Sequence, residues 1–284
     1  MQLCSDSIGS RIAPRDYDFI CQLVYDHSRI KLGADKRELV TSRLAKRLRA
    51  LHLDDYSAYC NFLRSPAGAD ELRELIDRIS TNHTHFFREM KHFDFLRETV
   101  LPAWKARGAA RPACFRVWSA ASSSGEEPYS LAIFLSEYLA PPTSGQWQIE
   151  GSDISTRILE KAAAGIYESQ RVESMPRAWL QRCFQRGHGN WEGNYRIKAE
   201  WRARVRFHHL NLLQSEYPFT ELFEVIFCRN VMIYFDRATQ EDLVRRLARR
   251  LAPGGYLMVG HSESLSGIRH ELRGVKPAIY QKPA

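Results

Sequence analysis

The sequence predicts an α/β fold: a mainly parallel, Rossmann-like sheet with helices on both faces, preceded by an all-helical domain and interrupted by a small antiparallel insert. Three observations carry this. From about residue 112 onward, apolar strand-like runs alternate with amphipathic helical ones, the pattern of parallel strands joined by crossover helices. Upstream of that point the periodicity is helical. Between residues 182 and 209 the alternation breaks into short runs such as Tyr195, Ile197 and Val205, Phe207, set around the turn glycines Gly187, Gly189 and Gly193.

The elements follow in order. "RDYDFICQLVYDHSRI" places Phe19, Ile20, Leu23 and Val24 at helical spacing. "DKRELVTSRLAKRLRALHL" predicts a second helix, with Val40, Leu44, Leu48 and Leu51 on one stripe and Lys36, Arg43, Lys46 and Arg47 on an adjoining one. "DDYSAYCNFLRS" is a third helix, closed by Pro66 and Gly68, and "ADELRELIDRIS" a fourth. With a connecting segment they occupy residues 1–90. In residues 91–284, "CFRVWSA" reads as a strand and "EEPYSLAIFLSEYL" as a helix, with a turn at Pro141, Pro142 and Gly145. "WQIEGSDIS" is a strand and "TRILEKAAAGIY" a helix. After the insert at 182–209 come the strand "FEVIFCRN", the helix "ATQEDLVRRLARRLAPGG" stopped by Pro253 and Gly254, and the strands "YLMVGHSE" and "PAIYQK".

Composition narrows the class. Of 284 residues, 44% are hydrophobic and 26% charged, the mix of a soluble globular chain. No apolar run has the length of a membrane span. The opening "MQLCSDSIGSRIAPRD" has no apolar core of a secretion signal, so a cytoplasmic location is expected. The six cysteines are scattered without a C-x-x-C pair, as thiols of a reducing compartment are. The formal charge of +8 suits an acidic partner, without separating nucleic acid from acidic protein.

The chemistry centres on "SAASSSGEEPYS", residues 119–130, where a strand passes through small residues into a helix. A dinucleotide site wants G-x-G-x-x-G there, and a Walker loop wants Gly-Lys-Ser/Thr. This loop has one glycine, Gly125, then Glu126 and Glu127. Carboxylates repel a pyrophosphate, so the loop favours a nucleoside ligand with a positive end. S-adenosylmethionine, with its sulfonium and ammonium, fits. The same pair also serves a helix N-terminus electrostatically, by a few tenths of a kcal/mol each, roughly. Asp153 ends the second strand, placed either for ribose hydroxyls or as a helix cap. Arg229 and Asn230 end the strand "FCRN" inside the expected crevice.

In order along the chain, "STNHTHFFRE", "VWSAASSSGEEPYSLAI", "SDIS", "IFCRNVMIYFD" and "LAPGGYLMVGHSES", together with "KRELVTSRLAKRLRALHLDDY", resemble the CheR family of chemotaxis receptor methyltransferases. The resemblance covers nearly the whole chain. It implies transfer of the methyl group of S-adenosylmethionine to glutamate side chains of membrane chemoreceptors, leaving S-adenosylhomocysteine. It assigns cofactor contacts to Asn82, Thr84, Arg88, Glu127, Asp153, Asn211, Leu212, Arg229 and Asn230, and places Arg88 and Tyr234 near the transferred methyl. The stripe Lys36, Arg43, Lys46 and Arg47 is expected to dock on the receptor's helical cytoplasmic domain. Gly187, Gly189 and Gly193, with Arg186 and Arg196, resemble the family members that hold a receptor's C-terminal pentapeptide. Ser80 and His83 depart from residues usual in the family.

No metal, nucleic acid or membrane insertion is expected; His83, His85, His208 and His209 lack the pattern of a third ligand. Two alternatives stand beside this assignment. One is a methyltransferase of RNA or a small molecule, against which "NVMIY" differs from the Asn-Pro-Pro-Tyr pattern of many amino-group methyltransferases. The other is a cofactor-sensing adaptor without turnover.

Overall fold

The computed structural model describes residues 11–80, 82–107, 114–141, 144 and 146–284; Pro142 and Gly145 of the expected turn lie outside them. The chain forms two compact units. One holds the described residues up to 80 together with Tyr234–Asp236, and the other holds Asn82–Ile233 and Arg237–Ala284.

The smaller unit contains α1 (Pro14–Ser28), α2 (Arg37–Ala50), α3 (Tyr56–Arg64) and α4 (Ala69–Ile79). The apolar stripe of α2 is its inner face: Val40, Leu44 and Leu48 are buried with Ile20, Val24, Tyr59 and Leu75, and Leu51 packs at the margin. Asp55 caps α3, accepting from the Ala58 N–H at 2.7 Å. The segment Tyr234–Asp236 is fastened here by the Lys31 N–H, which donates to the Tyr234 carbonyl at 3.0 Å, and by Tyr25, whose hydroxyl donates to Asp236.

The larger unit opens with α5 (Lys91–Phe95) and α6 (Leu101–Ala106), joined through a π-helical turn at Leu96–Val100. Then follow β1 (Phe115–Ala120), α7 (Glu126–Tyr138), β2 (Trp147–Asp153), α8 (Thr156–Ala164), β3 (Ile166–Glu168), α9 (Ser169–Val172), α10 (Arg177–Cys183), β4 (Phe184–Arg186) and β5 (Asn194–Ile197). The chain closes with α11 (Ala199–Arg202), β6 (Val205–His209), β7 (Phe223–Cys228), α12 (Arg237–Arg250), β8 (Leu251–Val259), β9 (Arg273–Lys276) and β10 (Ile279–Gln281). Seven strands form one sheet in the order β6-β2-β1-β7-β8-β10-β9. The first five are parallel, and β10 and β9 extend the sheet antiparallel. Its faces are covered by a core that includes Phe93, Trp104, Tyr129, Leu131, Phe134 and Phe227.

Four expectations are corrected. The segment 82–90, read as a connector attached to the helical part, belongs to the larger unit, where Ser123 Oγ donates to the Asn82 carbonyl at 3.2 Å and the Phe87 N–H donates to Ser130 Oγ at 2.9 Å. The antiparallel insert exists with other bounds than 182–209: β4 and β5 lie within them, its third strand β3 precedes them in the order β3-β5-β4, and Val205–His209 is instead the edge strand of the main sheet, parallel to β2. Period-two spacing marks a half-buried strand without saying which sheet it joins. "TRILEKAAAGIY" is not one helix: Gly165, at φ 61°, closes α8 and Ile166 begins β3. Finally, Pro253 and Gly254 do not stop a helix. α12 already ends at Arg250, and the Pro-Gly turn sits inside β8, where the pairing with β7 shifts register between Phe223 and Val225.

Candidate cofactor and active site

The parallel strands end together. Ala120 lies beside Ser152 and Cys228, Ser152 beside His208, and Cys228 beside Val259. The loops that leave this edge therefore share one rim: 121–125, 154–155, 210–213, 229–233 and 260–263. The chain steps from β1 to β2 on one side and returns through β7 on the other, so the loops after β1 and β7 part at the switch point where α/β proteins hold ligands.

Arg229 crosses that point. Its side chain is only 2% exposed, and its Nη1 donates to Glu127 Oε2 at 2.9 Å. Its Nη2 donates to the Arg88 carbonyl at 2.6 Å and lies 3.1 Å from Glu89 Oε2. The other oxygen of Glu127 accepts from Ser119 Oγ at 2.7 Å. One guanidinium thus holds together the end of β7, the first turn of α7 and the 82–90 segment. Burial opposes ionisation of Glu89; Arg229 and the donors around His261 outweigh it, and the carboxyl sits below its usual range.

Asp153 is buried and receives backbone amides on both oxygens, from Ser123 at 2.9 Å and Ser155 at 3.0 Å. It is not the cap of α8: Ser155 is, accepting from the Ile158 N–H at 3.3 Å. Asn211 turns its side-chain oxygen to the Leu213 N–H at 2.9 Å, and Leu212 is buried beside it. Glu126 is 1% exposed; burial pushes its carboxyl up, against Ser124 Oγ at 2.6 Å and Arg171 at 3.1 Å.

Backbone strain gathers at the same rim. Among the described residues, eight non-glycine positions have positive φ, and five of them are Phe87, Glu89, Ala121, Ser123 and Asn230. Such conformations persist where surrounding bonds over-determine them. At Asn230 the bonds are explicit. Glu263, buried, accepts from the Asn230 N–H at 2.7 Å, the Gly260 N–H at 2.6 Å and the Ile233 N–H at 3.3 Å. Gly260 lets these side chains close in, since a Cβ would come within 2.5 Å of Asn230 Nδ2 and 2.8 Å of Glu263 Oε2 and displace them.

The remaining expected residues divide. In the 82–90 segment, Thr84 offers its carbonyl to Arg171 at 3.0 Å, and the Arg88 guanidinium folds back onto the His83 carbonyl at 3.0 Å. Arg88 belongs to the larger unit and Tyr234 to the smaller. Two members of the basic stripe of α2 are engaged within the helical unit. Arg47 is bound to the buried Glu71 through Nε at 2.9 Å and through Nη2, and Tyr59 donates to the same carboxylate at 2.9 Å. Arg43 donates to the Ile79 carbonyl at 2.5 Å and the Ser80 carbonyl at 3.2 Å, capping the end of α4. Exposed charge is left on Lys46 and Lys36, the latter 3.1 Å from Asp35. A helix wheel gives the face of a side chain but not the carboxylates of a neighbouring helix.

Gly189 and Gly193, at φ 59° and 79°, shape the β4–β5 turn, and Gly187 is needed because a Cβ would lie 2.1 Å from the Trp191 carbonyl oxygen. Gly187 donates to Asn194 and Lys198 to Cys183, so the alternation of an antiparallel pair turns the N–H and C=O of Arg186 and the C=O of Phe184 outward, to the edge of β4, while the Phe184 N–H is held by the Leu180 carbonyl at the end of α10. Trp191, 59% exposed, stands beside that turn.

Of the four histidines weighed as ligands, His208 pairs with Glu150 at 2.6 Å and His209 meets the Ile154 carbonyl at 2.9 Å. A different group, Glu89, His92 and His261, brings three ligand-type atoms within 4.8 Å of one another. Its carboxylate already carries the Arg229 guanidinium. His92 is fully buried, and burial, with Arg229 nearby, lowers its pKa to about 3.

The description "CheR methyltransferase, SAM binding domain" fits residues 82–280, and "CheR methyltransferase, all-alpha domain" fits residues 15–80. The chain belongs to the CheR methyltransferase family. It is 44% identical over 268 residues to a chemotaxis protein methyltransferase of Salmonella typhimurium, covering 93% of this chain and 90% of that protein. The counterpart from Escherichia coli is 42% identical, covering 93% and 91%, and that from Borreliella burgdorferi 37%, covering 97% of each. Membership makes the fold that of a methyltransferase using S-adenosylmethionine, working in chemotaxis. Among the described residues no helix is long and apolar enough to cross a membrane. The residues present fit the cofactor in one further respect: Ser122 Oγ, in the cradle loop of this CheR domain, is buried and has no hydrogen-bond partner among the described residues.

Sequence reasoning passed over Glu89, Glu263, Arg171 and Ser122. Glu89 and Glu263 each lie inside a quoted family stretch, so the signal was at hand; what was lacking was the fold that brings them to Arg229 and Asn230.

Proposed function

We propose that this chain methylates glutamate side chains of chemotaxis receptors, forming γ-carboxyl methyl esters and releasing S-adenosylhomocysteine. The observation that carries this is the acidic rim of the switch point. Glu127 and Asp153 stand where a nucleotide-binding loop would offer amides to phosphate, and Arg229 fixes Glu127 in place. Carboxylates there attract the ammonium end of an amino-acid-bearing nucleoside and repel a pyrophosphate. Asn82, Thr84, Arg88, Asp153, Asn211, Leu212, Arg229 and Asn230 would hold the rest of the donor. When bound, the donor supplies a methyl carbon on a sulfonium, and its carbon–sulfur bond breaks as the acceptor oxygen–carbon bond forms.

A receptor glutamate has a reference pKa of about 4.3 and is ionised at neutral pH, so no strong base is required. The protein's work is alignment and exclusion of water, which in favourable systems lowers a barrier by roughly 7–11 kcal/mol. We assign Arg88 to orienting the donor and Tyr234 to orienting the incoming carboxylate. The exposed Lys46 and Lys36 face the acidic receptor helices. The free edge of β4 accepts the receptor's C-terminal pentapeptide as a further strand, with Arg186 and Arg196 answering its carboxylates and Trp191 its aromatic side chains. Such a tether raises the local concentration of receptor without touching the reaction.

The test is incubation with methyl-labelled S-adenosylmethionine and receptor cytoplasmic fragments, with and without their tails. Label released by mild alkali is expected, faster with the tail present. Alkali-stable label, as an amine or amide would give, contradicts the ester assignment.

A further inference from the structure

The insert touches the cofactor rim at three separate places. Tyr167 of β3, buried, donates its hydroxyl to the Ser124 carbonyl at 2.8 Å. Phe86 of the 82–90 segment packs edge-on against both Tyr167, at 4.9 Å between ring centroids, and Phe184 of β4, at 5.8 Å. Arg171 of α9 donates through one nitrogen to the Thr84 carbonyl at 3.0 Å and to Glu126 Oε1 at 3.1 Å. The N–H of Ser169, at the start of α9, is in turn held by the carbonyl of Gly193 in the glycine turn, at 2.8 Å.

We infer that the insert forms one wall of the cofactor cradle and that Arg171 is a positioning residue for S-adenosylmethionine binding. Glu126 is 1% exposed, and among the described residues its ion pair is with Arg171. A buried carboxylate at a helix start needs such a partner. The same guanidinium binds the Thr84 carbonyl, so the charge that neutralises the cradle loop also fixes the 82–90 segment over it. Arg171 is itself about half exposed, 48% of its side chain, so its stem packs little and its contribution is the bonds at its tip. This rests on the placement of Thr84 at the cofactor.

The test is calorimetric titration of the full chain with S-adenosylhomocysteine, alongside turnover on a receptor fragment. Arg171→Met is expected to weaken binding about tenfold, the lower end for a charge-assisted bond with a half-exposed donor. The KM for S-adenosylmethionine should rise by the same factor, with kcat and the KM for receptor unchanged. Arg171→Lys should recover part of the affinity, and so should Glu126→Gln added to Arg171→Met, because the stranded charge is gone. That double variant carries the test if Arg171→Met alone folds poorly. Binding by Arg171→Met within about twofold of wild type overturns the inference, as does a double variant no tighter than the single one. Thr84→Ala separates the two levels. Weakened binding in Thr84→Ala with none in Arg171→Met refutes the role of Arg171 alone, while unchanged binding in both also removes the segment from the cofactor.

Discussion

Arg229→Met removes one cation from two carboxylates. The side chain of Arg229 is 2% exposed, and those of Glu89 and Glu127 are each 13% exposed, so water replaces little of what is lost. Breaking a buried pair by deleting one partner costs about 3–5 kcal/mol. The methionine keeps the packing of the arginine stem, which argues for about 3 kcal/mol at neutral pH. For a unit of this size that lowers Tm by about 6–12 °C. The pH dependence is the sharper part. In the wild type Glu89 titrates below its usual range, so its contribution is present above the unfolded pKa and is lost as pH falls through the folded one. Without Arg229, burial dominates and the folded pKa rises above the unfolded value. The carboxyl then favours the fold at low pH and disfavours it as pH climbs through that raised value. The Tm deficit of Arg229→Met should therefore be small near about pH 4.5 and large near about pH 8. Thermal melts of both proteins at the two pH values measure it. A deficit equal at both, or under about 2 °C at pH 8, would refute the clamp.

Arg47→Ala should destabilise the helical unit by about 3 kcal/mol, because Glu71 loses its partner with its side chain 4% exposed; melting by circular dichroism reads this. Lys46→Glu should leave stability unchanged and raise the KM for receptor, with a weaker salt dependence in initial-rate assays. Glu263→Gln places an amide donor against N–H groups that need acceptors, so turnover should fall about ten- to hundredfold with S-adenosylhomocysteine affinity changed less, as paired kinetics and calorimetry would show. Arg186→Pro removes an outward N–H from the free edge of β4; pentapeptide binding should weaken while turnover on tail-less receptor fragments stays the same.

The order of strands and helices was legible because parallel strands buried on both faces leave continuous apolar runs, as in "FEVIFC". What failed was local. Gly165 looked like a residue within a helix and is its left-handed end, and Val205–His209 carries the same alternation whether it closes an insert or edges the main sheet. Motif residues fared better than surface ones. Glu127, Asp153, Arg229 and Asn230 converge on one rim because each ends or follows a strand, or sits in the first turn of a helix, at the carboxyl edge. The bonds of Arg43 and Arg47 were not legible because their partners, Ile79, Ser80 and Glu71, lie at or beyond another helix and leave no trace in the spacing of α2. Glu89 and Glu263 lay in motif stretches, but their roles stayed hidden for the same reason: Arg229 and Asn230, which they bind, are far away in sequence.

The most direct measurement is competitive calorimetry of the purified chain with S-adenosylhomocysteine, NAD and ATP. Saturable one-to-one binding of S-adenosylhomocysteine, lost in Glu127→Lys and untouched by excess NAD or ATP, is the expected result. Tight binding of either phosphorylated nucleotide at the same site, with S-adenosylhomocysteine ignored, would contradict a cradle built from carboxylates to hold a sulfonium donor.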